Sequence, residues 1–184
     1  GLVAAPWMLG LLSFLWLSLA CFLTAKLFRF HSRWFVILTG GILAVNLSTI
    51  AMTAAYLYEM DANCFALLLG VCAVLLWDRY CWPGALVGAL LIMLCTSIYE
   101  SMISVPITLI MLLSMTALLR GVAFRDVLYR GLRGIAMLAL GGLFYWLVIR
   151  LRYAVTGISP ALGNYNNLGQ ASGFSVLWRI GHTF

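Results

Sequence analysis

Apolar residues fall along this chain in long blocks separated by short polar punctuation. The first block covers residues 6–25 and closes on Lys26, Arg29, His31 and Arg33, with Trp7 and Trp34 where interfacial anchors of a membrane helix belong. The second covers residues 34–57 and carries Asn46, Thr49, Thr53 and Tyr56, a spacing that puts all four on one helical face. Such a stripe faces other helices or a wet cavity rather than lipid, and Asn46 taken alone reads as interhelical hydrogen-bond glue. Its outer end is Tyr56, Tyr58, Glu59 and Asp61. A third block, 64–77, stops at Asp78-Arg79. Pro83 and Gly84 open a fourth that ends near Ser97, a fifth covers 103–119, and a sixth covers 134–149.

The blocks have the uniform apolarity of helices that cross a bilayer, the fourth and fifth near the lower limit of length, and none alternates as a barrel strand does. The expected fold is therefore all-α, a polytopic transmembrane helix bundle with about six spans. Composition agrees: 65% of residues are hydrophobic and 9% charged, with mean hydropathy +1.08, which excludes a soluble domain and a disordered chain. Residues 1–184 are expected to form one transmembrane helical domain, an excerpt of a longer chain because it opens on Gly1 and is already apolar by Leu2. Cys21, Cys64, Cys72, Cys81 and Cys95 lie in or beside apolar blocks without metal-ligand spacing and read as small apolar residues. No metal site and no cofactor is evident.

The net charge of +6 does not imply nucleic acid, because the cations sit in short connections between spans. Lys26, Arg29, Arg33, Arg79, Arg120, Arg125, Arg130 and Arg133 follow spans one, three and five, while the other side holds no Lys or Arg before Arg150. By the positive-inside rule the first set is cytoplasmic. Residues 120–133 alternate cations with Val122, Phe124, Val127, Leu128 and Leu132, as in an amphipathic connection on an anionic membrane face. Residues 150–184 form a polar outer segment.

Glu59, Asp61 and Glu100 then share the outer side. Glu100 lies in C-T-S-I-Y-E-S-M-I-S-V-P, between two apolar blocks with no polar loop around it. Two readings stand: an acid held at the membrane boundary for function, or the exposed tip of a tight hairpin. A carboxylate here can act as general base towards a sugar hydroxyl, with Tyr56, Tyr58 and Tyr99 offering stacking faces and hydroxyls. Arg150 and Arg152 emerge on the outer side against the charge bias, where they either hold a lipid phosphate or snorkel to the interface. Tyr165 lies in the amide-rich segment Asn164–Asn167, which reads as a sugar contact or simply as a turn. No nucleotide loop, metal pattern or Ser-His-Asp arrangement occurs, so a donor delivered through the membrane fits better than a nucleotide sugar.

The runs Y-L-Y-E-M-D-A-N-C-F-A-L-L-L-G-V-C-A-V-L-L and S-I-Y-E-S-M-I-S-V-P-I resemble the type II Gtr-like family of serotype-converting O-antigen glucosyltransferases, multi-span bacterial enzymes of the GT-C kind. The resemblance covers most of residues 6–170. It matches the aromatic segment Tyr56 to Asp61 and the hairpin residues Tyr99, Glu100 and Ser104. It implies a GT-C-like enzyme of the bacterial inner membrane that moves glucose from a polyprenyl-phosphate donor to a polysaccharide acceptor, the O-antigen of lipopolysaccharide, on the periplasmic face. Two departures qualify it: members of the family carry Gln where this chain has Glu100, and GT-C enzymes hold a catalytic acid in an outer loop that would lie upstream of Gly1.

The sequence thus nominates Asp61 and Glu100 as catalytic candidates. Tyr56, Tyr58, Glu59, Tyr99, Ser104, Arg150, Arg152 and Tyr165 are nominated to bind substrate. The alternative is a transporter or flippase for a lipid-linked or polar solute with Glu100 as its coupling carboxylate, a class whose internal repeats are not visible here. A non-catalytic membrane subunit is a third possibility.

Overall fold

The computed structural model describes residues 6–29, 32–44 and 59–156. Among them every regular element is helical: α1 (Pro6–Leu27), α2 (Arg33–Ala44), α3 (Met60–Ile98), a 3₁₀ turn (Glu100–Ile103), α4 (Ser104–Leu119) and α5 (Phe124–Thr156). Four helices are long and apolar enough to cross a membrane. The protein is an all-α, polytopic membrane bundle. The chain divides into two compact units, Gly1–Trp146 and Leu147–Phe184. The second is described only for residues 147–156, an exposed stretch at the end of α5.

A straight helix of 39 residues would reach roughly 58 Å, about twice the hydrocarbon core. α3 instead folds back on itself. Tyr80 (φ −115°, ψ 20°) and Cys81 (φ 50°, ψ −124°) leave the helical region. The two arms they separate are the expected third and fourth spans, and the turn follows directly on the Asp78-Arg79 stop. Pro83, which lacks an N–H, sits in the first turn of the second arm, where no intrahelical donor is needed.

The arms lie antiparallel in close contact. A Cβ at Gly84 would overlap the carbonyl of Leu76, and one at Gly88 would come 3.0 Å from the Ala73 carbonyl. Further along, the same face of Gly70 meets Cys95 and Pro106, so α4 returns along the first arm. Trp16 of α1 packs on Phe65 with ring centroids 5.2 Å apart. α5 lies along the second arm, where Met137 fills the space beside Gly88 and Ile92 that beside Gly141.

Within the first unit this register gathers Arg29, Asp78, Arg79, Arg130 and Arg133 at one end of the helices, and Asp61, Glu100 and Tyr145 at the other. The basic end is knotted around Trp77, which is fully buried. Arg133 donates to the Trp77 carbonyl at 3.0 Å, Arg130 pairs with Asp78, and both guanidiniums lie over the indole at 5.4 and 5.6 Å. From Phe124 onward, the basic stretch expected as a separate surface connection is helix, continuous with the sixth span. Within this stretch Val127 and Arg133 are buried, while Val122, Phe124, Leu128 and Leu132 are exposed.

Hydroxyls along the helices are satisfied locally. Ser13, Thr24, Thr96, Ser97 and Ser114 each donate 2.8 Å bonds to the carbonyl four residues back, the usual solution where no water reaches. The five cysteines are free, with Cys64 and Cys95 buried and Cys81 exposed.

The close approach at the turn predicts that Gly84→Val lowers the thermal unfolding midpoint of the detergent-solubilised protein, with a loss of about 1–3 kcal/mol from overpacking. Gly10→Ala, where an added Cβ meets nothing within 4 Å, is expected to leave the midpoint unchanged.

Candidate active site

The hairpin between α3 and α4 is too short to leave the bundle. Tyr99 is extended (φ −152°, ψ 115°) and ends α3, its N–H still bonded to the Cys95 carbonyl at 3.2 Å. One 3₁₀ turn then reverses the chain, and the Ser104 hydroxyl closes it by donating to the Ser101 carbonyl at 2.8 Å. Pro106, in the first turn of α4, is buried against Gly70 and anchors the returning helix. With the 3₁₀ turn, the return span is Glu100–Leu119, 20 residues, about the length that just crosses a hydrocarbon core roughly 30 Å thick. A span with so little to spare holds the tip near the membrane boundary.

An open cavity of about 690 Å³ lies at this tip, lined by Thr96, Ser97, Ile98, Tyr99, Glu100, Ser101 and Tyr145. Across it the Tyr145 hydroxyl donates to Glu100 Oε1 at 2.6 Å, a distance typical of a charge-assisted bond to a carboxylate. That bond ties α5 to the turn and leaves the second carboxylate oxygen available to a ligand. Thr96 and Ser97 spend their protons on backbone carbonyls, so towards the cavity their oxygens act as acceptors. The lining therefore holds one carboxylate, several hydroxyls and no Lys or Arg. Both readings of Glu100 meet here, since the residue is exposed at a hairpin tip and also forms one wall of the cavity.

The other nominated residues are distributed as follows. Tyr99 lines the cavity and is exposed, while Ser104 caps the turn outside it. Asp61 is half-buried in the first turn of α3, and Glu59 is exposed just before it. Gly70 is level with Cys95, so Asp61 stands roughly 13 Å beyond that level along the helix axis, against roughly 5 Å for Ile98 in the cavity wall. It shares the acidic end but does not line the cavity. Arg150 and Arg152 are exposed near the end of α5, in the second unit. Tyr56, Tyr58 and Tyr165, together with Asn46, Thr49 and Thr53 of the expected polar stripe, lie outside the described residues. Among the described residues no cluster of His, Cys, Asp and Glu could hold a metal ion.

Tyr145 is the residue that sequence reasoning missed. Its place in F-Y-W-L, at the outer end of the sixth span, reads as an ordinary interfacial aromatic. The available signal was the span count, which places that end on the same side as Glu100.

Over residues 1–182 the chain matches the family model described as glucosyl transferase GtrII. The chain belongs to that family. No curated protein matches it, and no solved structure matches it. Membership in the GtrII family agrees with the resemblance carried by the Tyr56–Asp61 and Tyr99–Ser104 segments. It also gives the hydroxyl-lined cavity a substrate class to be weighed against, since a glucosyl transferase handles polyhydroxyl ligands.

If the Tyr145 bond sets the carboxylate's orientation, Tyr145→Phe is expected to reduce glucosyl transfer by about 5- to 30-fold, the equivalent of roughly 1–2 kcal/mol. Thermal unfolding run in parallel is expected to change little, because the bond is exposed to solvent.

Proposed function

We propose that this GtrII-family chain is a glucosyltransferase of the bacterial inner membrane, using a polyprenyl-phosphate-linked glucose donor and a surface polysaccharide, the O-antigen, as acceptor. The observation that carries the reading is the cavity at the hairpin tip, with Glu100 held by Tyr145 among hydroxyls and without a cation. A phosphate would be repelled there, whereas an uncharged sugar can donate its hydroxyls to the carboxylate and to the Thr96 and Ser97 oxygens. The cavity is therefore assigned to the acceptor sugar.

In the proposed reaction the acceptor hydroxyl oxygen bonds to the glucose anomeric carbon, the bond from that carbon to the phosphate oxygen breaks, and polyprenyl phosphate leaves. The acceptor proton passes to a carboxylate at the acidic end. Glu100 holds and orients the acceptor sugar, Tyr99 supplies a ring face and a hydroxyl, and Asp61, outside the cavity at the same end, is the candidate base for an acceptor hydroxyl that projects beyond the cavity. Arg150 and Arg152 are assigned to the donor phosphate, which their guanidiniums suit geometrically. Lys26, Arg29, Arg79 and the cations of residues 120–133 put the opposite end in the cytoplasm by the positive-inside rule, so the acidic end is assigned to the periplasm.

The test uses membranes containing the full-length protein, labelled polyprenyl-phosphate glucose and an O-antigen acceptor. Wild type is expected to transfer label. Asp61→Asn is expected to abolish transfer, and Glu100→Ala to lower it by more than tenfold. Glu100→Gln, whose amide oxygen still accepts from Tyr145, is expected to lose less than Glu100→Ala. No transfer by wild type, with solute uptake that Glu100→Gln abolishes, would sink the enzyme reading in favour of a transporter.

A further inference from the structure

The basic end of the first unit holds a second cluster, remote from the cavity, that the proposed reaction does not use. Arg29 closes α1, Arg79 stands at the turn of α3, and Arg130 and Arg133 lie in the early turns of α5. Asp78 is the one carboxylate paired within this group, through Arg130. With Asp126 in the first turn of α5, four guanidiniums stand against two carboxylates, an excess of two positive charges. Arg29 and Arg133 both lie within electrostatic range of Arg130 and oppose its charge.

Hydrogen-bond donors are in excess as well. The Nε1 of Trp77, the Nε of Arg133 and the Oδ1 of Asp78 are buried without a hydrogen bond; Trp77 is fully buried and Arg133 more than nine-tenths so. Buried donors left unpaired are costly, and crowding cations around them adds to the cost. The guanidinium excess has its remedy in an anion with several acceptor oxygens.

The surroundings indicate where such an anion would come from. Trp82 and Tyr129 bridge the turn of α3 to the start of α5 at 3.4 Å, and both rings are exposed. Phe124 and Leu128 add exposed apolar surface on the same stretch of α5. Cations beside exposed aromatic and aliphatic side chains at the end of membrane helices suit a phosphate that carries acyl chains.

We propose that Arg29, Arg79, Arg130 and Arg133, gathered around Trp77 and Asp78, form a binding site for the headgroup phosphate of an anionic phospholipid. The bound phosphate neutralises the guanidinium excess and braces α1, the turn of α3 and the start of α5 against one another. The lipid's chains lie along Trp82, Phe124 and Leu128. Its effect is on the cohesion of the bundle and not on the transfer step.

The experiment measures thermal unfolding of the full chain, delipidated in a neutral detergent. Phosphatidylglycerol, phosphatidylcholine and inorganic phosphate are added separately. Phosphatidylglycerol is expected to raise the midpoint by several degrees, and phosphatidylcholine and inorganic phosphate by much less. Arg29→Gln and Arg79→Gln, both exposed positions that can change without disturbing packing, are expected to reduce that rise by at least half. Arg125→Gln, outside the cluster, is expected to keep it. An equal rise with phosphatidylcholine, or an undiminished rise in both cluster variants, would overturn the site. Inorganic phosphate matching phosphatidylglycerol would overturn the lipid assignment and make the ligand a soluble anion.

Discussion

The close backbone approach of Gly84 to the Leu76 carbonyl governs the architecture. Only a residue without a Cβ lets the second arm of α3 start directly beside the first, and only a two-residue break keeps the arms in register. The left-handed φ of Cys81, unfavourable by about 1–2 kcal/mol for a residue with a side chain, is the conformational counterpart of that tight reversal. With the arms fixed, Ile98 is carried back to the end where Met60 began, and the Tyr99–Ile103 turn falls at the acidic end. The position of Glu100 is thus decided by a contact at the far side of the bundle.

The two ends of the first unit solve the problem of polar groups in an apolar surround differently. At the acidic end, hydroxyls are satisfied by their own helix, and one tyrosine steadies one carboxylate across an open cavity. Polarity there is sparse and accessible, which suits reversible capture of a neutral ligand. At the basic end, guanidiniums are packed over an indole and against the Asp78 carboxylate. Polarity there is dense and partly enclosed, and it holds helices together. Membership in the GtrII family gives a chemical use to the first arrangement only.

Much of this was legible in the residues. The apolar blocks marked the helices, Pro83-Gly84 marked the opening of the fourth span, and Glu100 stood out because no polar loop surrounded it. Local pattern determines these features, so a linear reading captures them. What it could not capture were pairings between distant positions. Tyr145 looks like any interfacial aromatic until its hydroxyl is placed beside Glu100, 45 residues away. Arg133 looks like a solvated cation until it is found buried under Trp77, 56 residues away. The continuity of α5 through residues 124–133 was hidden for the same reason, since alternating cations and apolar residues describe a surface helix and a packed one equally well.

The length of the return span bears on what can reach the cavity. Glu100–Leu119 is a span of 20 residues, which crosses a hydrocarbon core of about 30 Å with nothing to spare. The Tyr99–Ile103 turn therefore falls at the depth of the headgroups, where a ligand dissolved in the membrane and one dissolved in water can approach the same opening without either leaving its own solvent far behind.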